Sequence, residues 1–442
     1  MWGTHVPRRS PGDICLPESS IPEDLSVGLR SNLLLSVLDQ GVVSATNFGV
    51  ALLLVYLAPK ESYGLYALGF GLITLVTSIG NALVVTPMTV NAPRLEVGAQ
   101  DAYCKSLLAS EALAAFLIAG LVGTVVGVAM LTGLVELDDG LFWTAIAFAG
   151  AGVLLHEFFR RFFFLKGNAR NVLIMDFALG LGFLSALAVG GVSGLERMHT
   201  WAIVFYGTSA GLIALFVART GALPAFAGWS QSRRNLLEAW TDGRWALAGV
   251  TVTWVQSQAY AYVLAVMLGT ASLAEANAAR LLFAPVAMLG TGLMNAVMPE
   301  SVKRKAMGDG PGAERVARRM LAVLLLLTGL YTVAVAGGQR ALVGWVLPED
   351  YAGVGPYVLT WAAVVLLQAV RANSSMLLQV FRQFRAITVA NAWTALLVVV
   401  LTPGLIHFYG VGGGISALGV GELALGLLLW RAFSHVRRFD AG

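Results

Sequence analysis

Arg371, Asp39 and Glu422 are ionisable side chains set inside long apolar stretches of this sequence. On insertion scales such a group costs about 2.5–3.5 kcal/mol at the centre of a bilayer, so each needs a partner or a purpose. Arg371, with Gln368 and Asn373 close by, is a fixed cation whose planar fork of donors suits a phosphate; snorkelling or pairing with a buried acid is the plainer alternative. Asp39, Asp176 and Glu422 are the acids that could carry H⁺ or Na⁺, although Glu422, between Gly419, Gly421 and Gly426, could equally pair with an arginine. Arg280 falls about one turn below an expected helix end, where snorkelling accounts for it.

Uncharged polar residues form a second set. Gln40, Ser44 and Asn47 recur at the i, i+4, i+7 spacing that puts them on one helix face. A polar stripe in an apolar helix fits the wall of a wet cavity; the plainer account is hydrogen bonding between helices, worth about 0.6 kcal/mol per contact. Thr251, Thr253, Gln256, Ser257 and Gln258 form a comparable patch near the middle of the chain. Asn81 lies upstream of Pro87 and Asn295 upstream of Pro299, a weak echo between the two halves. The candidate substrate contacts are therefore Arg371, Gln40, Asn47, Asn81, Gln256, Gln258, Asn295 and Asn373. In the run HEFFRRFFF, His156 to Phe164, the aromatic and arginine residues read first as an interfacial belt. Arg160, Arg161, Lys166 and Arg170 also offer positive charge to an anionic lipid head group.

No GxxxxGK[ST], HExxH, CxxC or GxSxG motif occurs, and neither Cys15 nor Cys104 has a partner spaced for a metal. The chain is not expected to be an enzyme or to hold a cofactor or metal, beyond the H⁺ or Na⁺ option. The net charge of +4 is too small to suggest nucleic acid.

The elements that must position these residues are membrane helices. Of 442 residues 57% are hydrophobic and 12% charged, against about 25% charged in soluble domains, and the mean hydropathy is +0.75. Stretches without Asp, Glu, Lys or Arg mostly match the ~20 residues a spanning helix needs. The last runs from 386 to 421 and is broken by Pro403, Gly404, Gly410 and Gly412 to Gly414, so it counts as two. The expected architecture is all-α and polytopic, with about 12 transmembrane helices in two six-helix lobes around a central cavity. Residues 1–32 form an N-terminal tail, 33–218 the N-lobe, 219–244 a linker, 245–432 the C-lobe and 433–442 a C-terminal tail. Of the 29 Lys and Arg, 24 fall on the side of the termini, which puts both termini and the linker in the cytoplasm. Helices this rich in lipid-averse residues, facing inward, suit a bundle that moves something across the membrane.

The stretches LDQGVVSATNF, YLAPKESYGLYALGF and NALVVTPMTV, with EFFRRFFFLKGNARNVLIMD from Glu157 to Asp176, resemble polysaccharide (O-antigen-type) flippases of the multidrug/oligosaccharidyl-lipid/polysaccharide exporter superfamily. The resemblance covers Leu38 to Asp176. It implies a V-shaped pair of lobes in a bacterial inner membrane. It also implies that the chain flips an undecaprenyl-pyrophosphate-linked oligosaccharide to the periplasmic face, by alternating access. Partners would be that glycan, membrane lipid and a polymerase or glycosyltransferase of the same pathway. A cavity arginine engaging the pyrophosphate would suit Arg371. The first two helices lack the arginines of lipid II flippases, and drug exporters resemble the chain less well. The alternatives are a cation-coupled drug antiporter of the same superfamily, or a non-catalytic subunit of a polysaccharide complex.

Overall fold

A computed structural model describes residues 23–134, 136–219 and 229–440, and no strand occurs among them. The elements are α1 (Glu23–Leu57), α2 (Lys60–Gly80), a wide π turn (Asn81–Val85), α3 (Thr86–Asn91), α4 (Val97–Leu131), α5 (Leu137–Leu165), α6 (Ala169–Val192) and α7 (Met198–Arg219). They continue as α8 (Trp229–Leu268), α9 (Thr270–Leu281), α10 (Ala284–Ala306), α11 (Gly310–Gly337), α12 (Gln339–Val346), α13 (Gly355–Val380) and α14 (Phe384–Asp440). Among the described residues nine helices are long and apolar enough to cross a membrane, and the bent pair α9–α10 makes ten. The chain is an all-α integral membrane protein.

Helices outrun the apolar stretches. The helix α1 begins at Glu23 rather than near residue 33, α8 at Trp229 inside the expected linker, and α14 continues to Asp440. Charge-free windows mark the part of a helix that lipid covers, whereas backbone hydrogen bonding carries the helix on into water. The 35 residues of α1 span roughly 50 Å, against a hydrocarbon core of about 30 Å.

Three breaks shape the bundle. Pro87 has no N–H to give Leu83, and the chain answers with the wide turn Asn81–Val85, where Thr86 Oγ1 donates to the Asn81 carbonyl at 2.9 Å. Pro285 stands at the start of α10, where the chain bends by 59° from α9. There Tyr331 Oη donates to the Leu282 carbonyl at 2.7 Å, satisfying an acceptor at the break. Gly410, at φ 59° and ψ −138°, splits α14 into two segments, a conformation that a side chain would strain.

α1 to α7 pack mainly on one another, and α8 to α14 do the same. Small residues set the closest approaches in the first group, where Gly152 lies on the Gly207 carbonyl and Gly207 on Ala149. The aromatics of the HEFFRRFFF run are not a belt. Phe158, Phe159, Phe162 and Phe163 are buried in a core with Val84, Met88, Leu107 and Val172. The helix α5 packs against α4, α7 and α2, which leaves that face no lipid to meet.

Candidate functional site

The terminal face is the end of the bundle where α1 begins and α14 ends; the distal face is the other. A cavity of about 520 Å³ lies between the two helix groups, in the distal half. It is walled by the later turns of α1 and α8, the first turns of α2, and α9, α10 and α13. Ser44 and Asn47 from α1, Ser257 and Gln258 from α8, Asn277 from α9 and Gln368 from α13 supply its polar groups. Tyr63, Tyr66, Phe70, Phe283 and Trp361 supply aromatic wall.

The cavity's charge comes from a residue whose sequence position suggested snorkelling. Arg280 is exposed to the cavity from the last turn of α9, and among the described lining residues it is the charged one. Its guanidinium lies over the Trp361 ring, 5.7 Å from the centroid. Trp361 is fixed in turn, donating from Nε1 to the Ala276 carbonyl at 2.8 Å. Two features place Arg280 here. The break before α10 ends α9 at the cavity, and the negative end of that helix's dipole suits a cation. The signal in the sequence was Pro285, five residues on, inside what reads as one apolar span.

The distal end of the cavity is closed by a seam between α2 and α9. Lys60 Nζ meets Glu275 Oε1 at 2.7 Å and lies 5.1 Å from the centroid of the Tyr351 ring. Gly64 sits so close to the Thr270 carbonyl that any side chain there would collide with it. Below the seam, Tyr262 Oη and Trp254 Nε1 of α8 donate to the Leu68 and Gly71 carbonyls of α2 at 2.9 and 3.0 Å.

The other sequence-predicted residues scatter. Asn47 and Gln258 line the cavity; Gln40 sits one turn below, its Nε2 3.5 Å from Ser44 Oγ. Asn81 opens the wide turn, and its buried Oδ1 has no hydrogen-bond partner among the described residues. Gln256 is buried with an unpartnered Nε2 near Gly421, and Asn373 is buried with both side-chain polar atoms unpartnered. The Asn295 side chain lies outside the described residues.

Arg371 does not line the cavity. Its Nε lies 2.6 Å from Glu422 Oε2, with Gln368 Nε2 3.4 Å from Glu422 Oε1, so the two charges neutralise each other inside the second helix group. Asp39 and Asp176 are likewise paired. Arg160 reaches Asp39 Oδ2 with Nη2 at 2.7 Å and Asp176 Oδ2 with Nε at 2.6 Å, and His156 Nε2 stands 3.5 Å from Asp176 Oδ1. Held by two buried carboxylates, Arg160 is withdrawn from attracting solution anions, contrary to its expected role. Arg161 faces Glu157 at 3.7 Å and Lys166 bridges to Asp101, while Arg170 is exposed with no ion pair among the described residues. No group of three or more His, Cys, Asp or Glu arranged for a metal occurs among the described residues.

No protein-family model and no curated protein sequence matches this chain. Solved structures do. An inward-facing multidrug resistance MATE family transporter of the MOP superfamily aligns with TM-score 0.69 at 10% identity, covering 90% of this chain and 96% of that one. A MOP superfamily transporter from Pyrococcus furiosus, described as having a binding pocket of reversed polarity, aligns with TM-score 0.65 at 10% identity, over 94% and 96%. The lipid II flippase MurJ, in an inward closed conformation, aligns with TM-score 0.65 at 10% identity, over 93% and 87%. At such identity the likeness is one of fold, and the fold is that of MOP superfamily transporters.

Proposed function

We propose that this protein is a flippase for a lipid-linked oligosaccharide or polysaccharide precursor, held by its phosphate in the cavity beside Arg280. The observation that carries the reading is the sign of the cavity. Its described lining offers one guanidinium and no carboxylate. An antiporter of cationic drugs needs an acid there, and the buried acids Asp39, Asp176 and Glu422 are all tied to arginines elsewhere. Arg280 presents its planar donors to a phosphate oxygen pair. Asn47, Gln258, Asn277 and Gln368 can exchange hydrogen bonds with sugar hydroxyls, and the prenyl tail stays in lipid between the two helix groups.

The Lys and Arg bias of the sequence supports an orientation with the terminal face in the cytoplasm. In that orientation the membrane potential favours outward movement of the anion by about 2.3 kcal/mol per charge per 100 mV. The likeness to a lipid II flippase supports a lipid-linked cargo, and the MATE likeness supports only the shared fold. The test is export of surface glycan in cells whose sole copy is Arg280→Ala. Loss of export with normal membrane abundance is expected, and undiminished export overturns the assignment.

A further inference from the structure

Glu111 is a carboxyl group that the cavity, the ion pairs and the proposed cargo leave without a task. It lies in α4, 3% exposed, and neither Oε1 nor Oε2 has a hydrogen-bond partner among the described residues. It faces the backbone of α2 at Gly80, where an added Cβ would stand 2.8 Å from Oε1. The next residue after Gly80, Asn81, opens the wide turn and carries a third unpartnered buried oxygen. Three acceptor oxygens are thus buried around Gly80 and Asn81 with no donor among the described residues, an arrangement that costs free energy unless a proton is added.

The surroundings leave a proton as the fitting ligand. Among the described residues the charged group that acts on Glu111 is Glu157 of α5, a like charge, itself 3.6 and 3.7 Å from Arg160 and Arg161 of its own helix. From α2 and α3, the segment Gly80–Pro93 contributes no ionisable side chain. Among the described side chains of α8, Arg234 and Arg244 are exposed, and Asn235 Nδ2 donates to Ser106 Oγ of α4 at 2.6 Å. A metal ion would need several more oxygens, and no such cluster occurs among the described residues.

The position gives the proton a consequence. Glu111 lies five residues from Ser106, and Gly80, which it faces, leads directly into the wide turn, which packs on α8. There Gly243 approaches the Ala82 carbonyl and Leu83 Cα so closely that an added Cβ would stand 2.7 and 3.0 Å away. We propose that Glu111 is a proton-binding site that latches the contact of α8 with α2 and α4 near the terminal face. With the proton on, its O–H supplies the missing donor and the contact stays packed. With the proton released to water, an unpaired carboxylate beside Glu157 is relieved by α8 moving away and water entering. No other bond is made or broken. The site stands on geometry alone, while its use as a transport gate rests on the transporter reading above.

The test uses the full chain in lipid nanodiscs without any glycan, with Cys15 and Cys104 replaced by Ser and Ala, and with Ser106→Cys and Asn235→Cys as a cross-linking pair. Brief oxidation is scored across about pH 5 to pH 9 in the Glu111 and Glu111→Gln backgrounds, so that the rising reactivity of thiols with pH cancels between them. Relative to Glu111→Gln, the Glu111 protein should lose roughly tenfold in cross-linking as the pH rises, the factor for one unit of linkage. Superimposable profiles overturn the proposal. Should Glu111→Gln fail to fold, infrared difference spectra between acid and alkaline samples take its place. They should show a protonated-carboxyl band in the wild type that shifts in Glu111→Asp, and absence of that band overturns the proposal equally. Arg280→Ala must keep the pH response, so failure of the glycan reading and failure of this one are read separately.

Discussion

At the scale of single residues, the four arginines Arg160, Arg170, Arg280 and Arg371 meet different fates, and partners decide which. Arg160 is held by Asp39 and Asp176, Arg371 by Glu422, and Arg170 is exposed, whereas Arg280 faces the cavity over an aromatic ring. Arg280→Ala should therefore abolish glycan export while leaving thermal stability in detergent nearly unchanged. Arg280→Lys should restore only part of the export, because an ammonium keeps the charge and loses the planar fork. Arg371 predicts the opposite pattern. Glu422 is 2% exposed and the Arg371 side chain 30%, so Glu422→Gln leaves a largely desolvated cation and should cost about 3 kcal/mol. The double change Arg371→Met with Glu422→Leu should recover most of that loss in a thermal unfolding assay and retain export. If the double variant folds but exports nothing, Arg371 does more than balance Glu422.

At the scale of elements, legibility followed the kind of signal involved. Apolar length revealed the helices, and the Gly and Pro content of 386–421 revealed the split of α14, because both act within a few residues of the chain. Pairings between distant helices left no local mark. Asp39 and Asp176 could be named as buried acids, but that one arginine of α5 would reach both depends on how α1, α5 and α6 pack. The break at Pro285 was written in the sequence yet lay inside a convincing apolar span, and it is the break that carries Arg280 to the cavity. A helix that runs straight through should move it. Pro285→Ala restores an N–H to the ladder and favours a continuous α9–α10. We expect stability to rise or hold while export falls, measured as thermal unfolding and surface glycan side by side; export equal to wild type would remove the break from the mechanism.

At the scale of the whole molecule, the two helix groups meet along a seam whose distal end is shut. Lys60, Glu275 and the contact of Gly64 with Thr270 hold α2 against α9, and the cavity lies beneath them. A cargo released on the distal side requires that seam to part. The ion pair is half-exposed, with side chains 24% and 28% accessible, so by itself it contributes only about 0–1 kcal/mol, and either charge can be lost without unfolding. Its value is as a place to apply a lock. Lys60→Cys with Glu275→Cys, in a chain freed of Cys15 and Cys104, should cross-link under oxidation and stop export, and a reductant should restore it. Binding of a polyprenyl-pyrophosphate from the terminal side should survive the lock, because Arg280 and the walls around it stay in place. Export that continues through a fully cross-linked seam would mean that the cargo leaves by another route, and alternating access across α2 and α9 would fall with it.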